Sequence, residues 1–184
     1  MTVTNAPGVP FHRLARTATH RWWRPVAGTL VLLVLVPLQA AAEEYVCRGW
    51  FLQAVGAFVR TPWLPIGVQA VIFAAVHGTG TAWGLADVAV FGAVTGWLAV
   101  RTGGLEAGIA LHVVNNLIAM VGAAAFGVLA SDESAADSPW QLLAVDASLM
   151  LVYAATITWL SRHRRLVTLA PAAGPPAAVL QAAA

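Results

Sequence analysis

Charge is scarce in this 184-residue chain: 10% of its residues are Asp, Glu, Lys or Arg, against 59% that are hydrophobic. Mean hydropathy is +0.75. A soluble domain of ordinary composition carries about 25% charge, so a water-soluble globular protein is excluded. A disordered chain is excluded by the same numbers, because disorder needs low hydrophobicity and high net charge. Cysteine is reduced to Cys47. That excludes a disulfide framework within the chain and any all-cysteine metal cluster. The formal charge of +2 is too small to point to a nucleic-acid partner, and none is expected. No internal repeat is visible, and the length suits one compact unit.

What the chain has instead is a series of apolar runs. A membrane helix needs about 20 mostly apolar residues. The first run, Val26 to Val36, ends at Pro37. Arg13, Arg16, Arg21, Arg24, Trp22 and Trp23 precede it. Basic residues mark the cytoplasmic side, and paired Trp suits the interfacial belt. The same stretch, with Ala40–Ala42 behind it, also fits a secretory signal peptide. Further segments run from Leu38 to Val59, Leu64 to His77, Leu85 to Val100, Leu105 to Leu129 and Leu142 to Leu160. Gly78–Thr81 reads as a turn, and the run to Val100 ends at Arg101-Thr102-Gly103-Gly104. Alternating the crossings puts Arg60, Arg101 and Arg162–Arg165 on the cytoplasmic face and the loop with Asp132, Glu133 and Asp137 outside. The expected fold is therefore all-α, a multi-pass membrane helix bundle of about six apolar segments with both termini cytoplasmic. Residues 1–24 form a basic N-terminal segment, 25–161 the membrane domain, and 162–184 an Ala- and Pro-rich tail.

Ionisable groups inside membrane helices are costly and mark function by default. They fall in three places: Glu43-Glu44 with Arg48, Phe73 with His77, and His112 with Asn115-Asn116. Glu44 and Arg48 stand four apart on one helical face and can pair, which makes them structural support. Glu43 is rotated by about 100° and lacks that partner. An unpaired Glu in apolar surroundings is raised toward neutrality and suits general acid–base work. His112 and Asn116 also share a face, where an imidazole and an amide can serve an oxyanion. The Phe73 ring walls the pocket that His77 enters. Depth argues less simply. At about 1.5 Å per residue, Glu43 lies roughly 24 Å from one end of its segment, His77 roughly 20 Å and His112 roughly 10 Å. Their convergence needs tilt, other helix ends or a break near Pro37.

Other polar residues have plainer readings. Cys47 reads as a small core residue. Asp87 follows a turn and Glu106 follows Gly103-Gly104, and each reads as a helix-start carboxylate. Asn115 lacks the spacing that brings Asn116 beside His112. The Trp residues read as interface anchors.

Glu-Glu-x-x-x-Arg, Phe-x-x-x-His and His-x-x-x-Asn, in that order and each in an apolar segment, resemble the CPBP family of intramembrane proteases. That family includes the type II CAAX prenyl proteases and the bacterial Abi proteins. The likeness covers roughly residues 37–125. It implies a membrane endopeptidase in which Glu43 and His77 hold and activate a water while His112 and Asn116 face the scissile carbonyl. It also implies either a divalent ion, zinc, on Glu43, His77 and His112, or a glutamate-activated water without metal; two His and one Glu suit both. Family members usually carry several further membrane segments ahead of the first motif, and this chain shows one. It reads as a short or truncated member, or as one with a misplaced start.

The leading expectation is an endopeptidase of the cell membrane acting on a peptide or prenylated-peptide substrate. Two others stand beside it. One is a non-catalytic membrane subunit that binds a peptide or confers immunity. The other is a small proton-coupled transporter, which the want of an inverted repeat disfavours.

Overall fold

The computed structural model describes residues 23–126 and 135–164. The expected basic segment up to residue 22, most of the acidic loop and the tail from residue 165 lie outside those residues. Among the described residues every regular element is helical.

The elements are α1 (Trp23–Glu44), a π-helical stretch (Tyr45–Phe51), α2 (Leu52–Gly56), α3 (Trp63–Val76), α4 (Ala82–Thr102), α5 (Glu106–Phe126), a 3-10 turn (Ala135–Asp137) and α6 (Trp140–His163). Four helices are long and apolar enough to cross a bilayer: Val26–Gly56, Ala82–Thr102, Glu106–Ala123 and Trp140–His163. The chain is a multi-pass helical membrane protein.

The first two expected segments are one helix of 31 residues, Val26–Gly56. Pro37 lies inside it. Proline removes one backbone donor and crowds the preceding turn, but membrane helices tolerate it where neighbouring groups satisfy the freed carbonyl. The merger takes one crossing out of the alternation, so the even count that placed both termini on one face loses its basis. The other segments fall where expected. The Gly78–Thr81 turn holds as well, with Gly78 at φ 92°, and Gly103 takes φ 72° where the Ala82–Thr102 helix ends.

α4 is the central helix. Half of its apolar window is buried, against 11–17% for the other three spans. Val88, Phe91, Val94 and Leu98 point inward from it and meet Phe73 and Ala74 of α3, Leu111 of α5, and Met150 and Ala154 of α6. Val34, Leu38, Ile118, Leu151 and Val152 are exposed on the outer helices, which is the surface a lipid-facing bundle presents. α3 is shorter, 14 residues, or about 21 Å at the helical rise. Its inward side is a regular stripe of Ile66, Gln69, Ala70, Phe73 and Ala74.

The 3-10 turn closes over the start of α4. Thr81 caps that helix by accepting from the Gly84 N–H at 2.9 Å. Its own N–H donates to the Ala136 carbonyl at 2.9 Å, and its hydroxyl to the Ser138 carbonyl at 2.7 Å. A Cβ on Gly84 would stand 2.0 Å from the Ala136 oxygen. Gly84→Ala is therefore expected to cost about 1–3 kcal/mol by overpacking. Gly67→Ala, inside α3 with nothing within 4 Å of its Cβ, should instead stabilise by about 0.5–1 kcal/mol. SDS-induced unfolding in mixed micelles compares the two.

Candidate active site

The three sequence motifs meet where α1 and its π-helical extension pass α3, α4 and α5. The π turn is a wider winding: the Leu52 N–H bonds the Cys47 carbonyl, five residues back. Such turns recur at functional sites. Here it begins directly after Glu43-Glu44 and carries Arg48 inward.

Glu44 and Arg48 are paired as their spacing predicts. Arg48 Nη1 donates to Glu44 Oε1 at 2.9 Å, and the two residues are 1% and 0% exposed. Arg48 Nη2 reaches the Gly92 carbonyl at 3.3 Å. The guanidinium carbon lies 4.4 Å from the Phe73 ring centre, so Phe73 supports the arginine as well as walling the site.

His112 is placed by the same carboxylate. Its Nδ1 donates to Glu44 Oε1 at 2.9 Å. A carboxylate only accepts, so the Nδ1 proton is fixed. This contact depends on a close approach of α5 to α1 at Gly108, where a Cβ would stand 3.0 Å from Glu44 Oε2. His112 follows one turn later. Its Nε2 lies 3.7 Å from Glu43 Oε2, farther than a hydrogen bond. Phe73 and Phe91 enclose the ring, with centroids 6.0 and 4.9 Å away.

Glu43 is not without partners, as its rotation away from Arg48 suggests. Gln39 Nε2 donates to its Oε1, and Asn116 Nδ2 donates to Gln39 Oε1 at 3.1 Å. Gln39 thus links the first motif to the third. The sequence reading missed it, although it stands four residues before Glu43 on the same face.

His77 lies just beyond α3, as its C-cap. Its Nδ1 is 2.7 Å from the Phe73 carbonyl. A carbonyl only accepts, so Nδ1 carries the proton and Nε2 presents a lone pair.

Glu43, His77, Asn116, Gln39, Cys47 and Phe73 line one cavity of about 960 Å³. That is the upper end of the range of roughly 300–1,000 Å³ for ligand pockets. His112 is not on it: the residue is 3% exposed and lines a smaller neighbour of about 270 Å³, which also takes in His77, Asn115 and Asn116. So the structure brings Glu43, His77 and Asn116 to a shared cavity and sets His112 behind Glu43. Asp87, read as a helix-start carboxylate, is instead buried in the second turn of α4 at 8% exposure. Thr81 caps that helix, and Asp87 faces the smaller cavity. Glu106 is in the first turn of α5, as its helix-start reading requires.

The metal set fits less well. Among the described residues no three His, Cys, Asp or Glu side chains are gathered closely enough to hold an ion. Glu43, His77 and His112 do not form a ligand triad in this arrangement, and no step below runs through a metal.

Comparison with known proteins gives three findings. No solved structure matches the chain significantly. The chain is similar to the uncharacterized protein YyaK of Bacillus subtilis (strain 168), 31% identical over 91 residues, covering 46% of this chain and 30% of that relative. A model of the Rce1-like type II CAAX prenyl endopeptidases matches residues 22–118, just over half of the chain and all three motifs, and the chain belongs to that family.

Proposed function

We propose that the protein is an intramembrane endopeptidase that hydrolyses a peptide bond with a water activated by Glu43. One observation carries the reading: Glu43 of α1, His77 at the end of α3 and Asn116 of α5 line a single large cavity inside an apolar bundle. A water between Glu43 and the unprotonated His77 Nε2 meets a base and a hydrogen-bond acceptor at once. Glu43 takes a proton from that water, and the hydroxide adds to the carbonyl carbon. The Asn116 amide donates to the oxygen that becomes negative. The same proton passes from Glu43 to the amine nitrogen as the C–N bond breaks, which leaves an acid and an amine. His112 acts behind Glu43: Glu44 fixes its tautomer, and its Nε2 faces the carboxylate. The substrate is a peptide that reaches the bilayer, with a prenylated C-terminal peptide as the class the family name suggests.

The test is cleavage by purified protein in nanodiscs. Prenylated and unprenylated CAAX peptides and short hydrophobic peptides are the substrates, and mass spectrometry reads the products. Cleavage at one bond is expected. A folded wild type that cleaves none of them sinks the reading and favours a peptide-binding subunit. Chelation is a second expected result. The rate should not fall in 1,10-phenanthroline, and loss of activity restored by zinc would replace the metal-free water with a metal-bound one.

A further inference from the structure

The smaller cavity holds a group of side chains that the proposed chemistry does not use. Asp87 comes from α4, Asn115 from α5 and Asp146 from α6, and all three line it. Asp87 is 8% exposed, and its Oδ1 is buried without a hydrogen-bond partner. Asp146 is half-buried. No cation on the described residues answers them. The Arg48 guanidinium is taken up by Glu44, and the His112 ring lies against Glu43 and Glu44. His77, on the same cavity, spends its Nδ1 proton on the Phe73 carbonyl. The arginines of the two helices are remote: Arg101 lies about 21 Å along α4 from Asp87, and Arg162 about 24 Å along α6 from Asp146.

Two carboxylates on one cavity are answered best by a positive partner, because a buried charge left alone is costly. The volume of about 270 Å³ falls just below the range of roughly 300–1,000 Å³ for whole ligands. It suits a single side chain. The cavity also shares Phe73, His77 and Asn116 with the large one, so its occupant would lie within a residue or two of the bond being cut. A bare metal ion is disfavoured, since no three His, Cys, Asp or Glu side chains gather there among the described residues.

We propose that this cavity is a specificity subsite for the ammonium or guanidinium group of a basic residue close to the scissile bond, held by Asp87 and Asp146. The proposal rests on the peptide-substrate reading above, and it selects hydrophobic peptides with one Lys or Arg beside the cleaved bond over uncharged ones.

Binding is measured apart from cleavage. Fluorescent hydrophobic peptides carry Lys at successive positions, each matched by a norleucine twin. They are titrated onto the Glu43→Gln protein in nanodiscs. At one position the Lys peptide should bind about tenfold more tightly than its twin, a modest return for a charge-assisted contact. Asp87→Asn and Asp146→Asn should each reduce that preference without weakening the norleucine peptide. If Asp87→Asn does not fold, Asp146→Asn decides the matter alone. Equal binding of every pair overturns the proposal, and is what two carboxylates sharing a proton would give. A Lys preference that survives in the folded variants overturns it as well. Wild-type cleavage of the same peptides tests the protease reading separately. An aspartate-dependent Lys preference without cleavage would keep the subsite and lose the protease. Cleavage without the preference would do the reverse.

Discussion

Glu43→Gln should lower kcat/KM for peptide cleavage by about 10²–10⁴-fold, the usual worth of a positioned general base. The change leaves the shape of the side chain in place. Its oxygen still accepts from Gln39 Nε2, and only the ability to take a proton is lost. The substitution should also fold. Glu43 is 34% exposed where its neighbour Glu44 is 1% exposed as a side chain, so its site has room for the added amide hydrogens. The decisive comparison is Glu43→Gln against Glu44→Gln. The first should lose turnover at unchanged stability. The second should lose stability, because Glu44 is the shared acceptor of Arg48 and His112. A Glu43→Gln protein that cleaves at the wild-type rate would remove Glu43 from the chemistry, however well the cavity is formed.

That contrast was legible in the sequence, and for a physical reason. Adjacent residues on a helix point about 100° apart, so two successive glutamates cannot both meet Arg48. The spacing assigned the pair correctly. It could not say what else the pair would hold. His112 reaches Glu44 from 68 residues away, and that contact depends on Gly108 letting α5 approach α1. No local pattern encodes such packing. The helical register of His112 and Asn116 was right, and both line the smaller cavity, yet only Asn116 also reaches the large one.

The misreadings share a cause. Pro37 and Gly78–Thr81 both look like breaks, but only the second is one. In water, proline inside a helix exposes an unpaired carbonyl and a steric clash together. In a bundle surrounded by lipid, the alternatives to staying helical are worse. The helix runs on through Pro37, so the two runs expected on either side of it are one span. Asp87 was misjudged in a similar way. A carboxylate soon after a turn suggests a helix start, but Thr81 already caps α4, and six residues later the helix has turned Asp87 inward.

Arg48→Met should be the most destabilising single substitution in the site, costing about 3–5 kcal/mol, the range for breaking a buried pair from one side. Arg48 is 1% exposed and makes three contacts that methionine cannot. It donates to Glu44 Oε1, donates to the Gly92 carbonyl, and stacks on Phe73. Its removal leaves the Glu44 carboxylate buried with His112 as its one remaining donor. The cost is therefore mainly that of an abandoned charge, and this can be checked. Adding Glu44→Gln to Arg48→Met should return part of the loss, because the double variant buries no unpaired ion. Arg48→Lys should fall between: the charge stays, while the second donor to Gly92 and the flat stacking on Phe73 go. SDS-induced unfolding, followed by tryptophan fluorescence, gives all four values on one scale. If the double variant is no more stable than Arg48→Met, Arg48 acts through its packing on Phe73. The salt bridge, buried as it is, would then be incidental to what holds the π-helical stretch against α3.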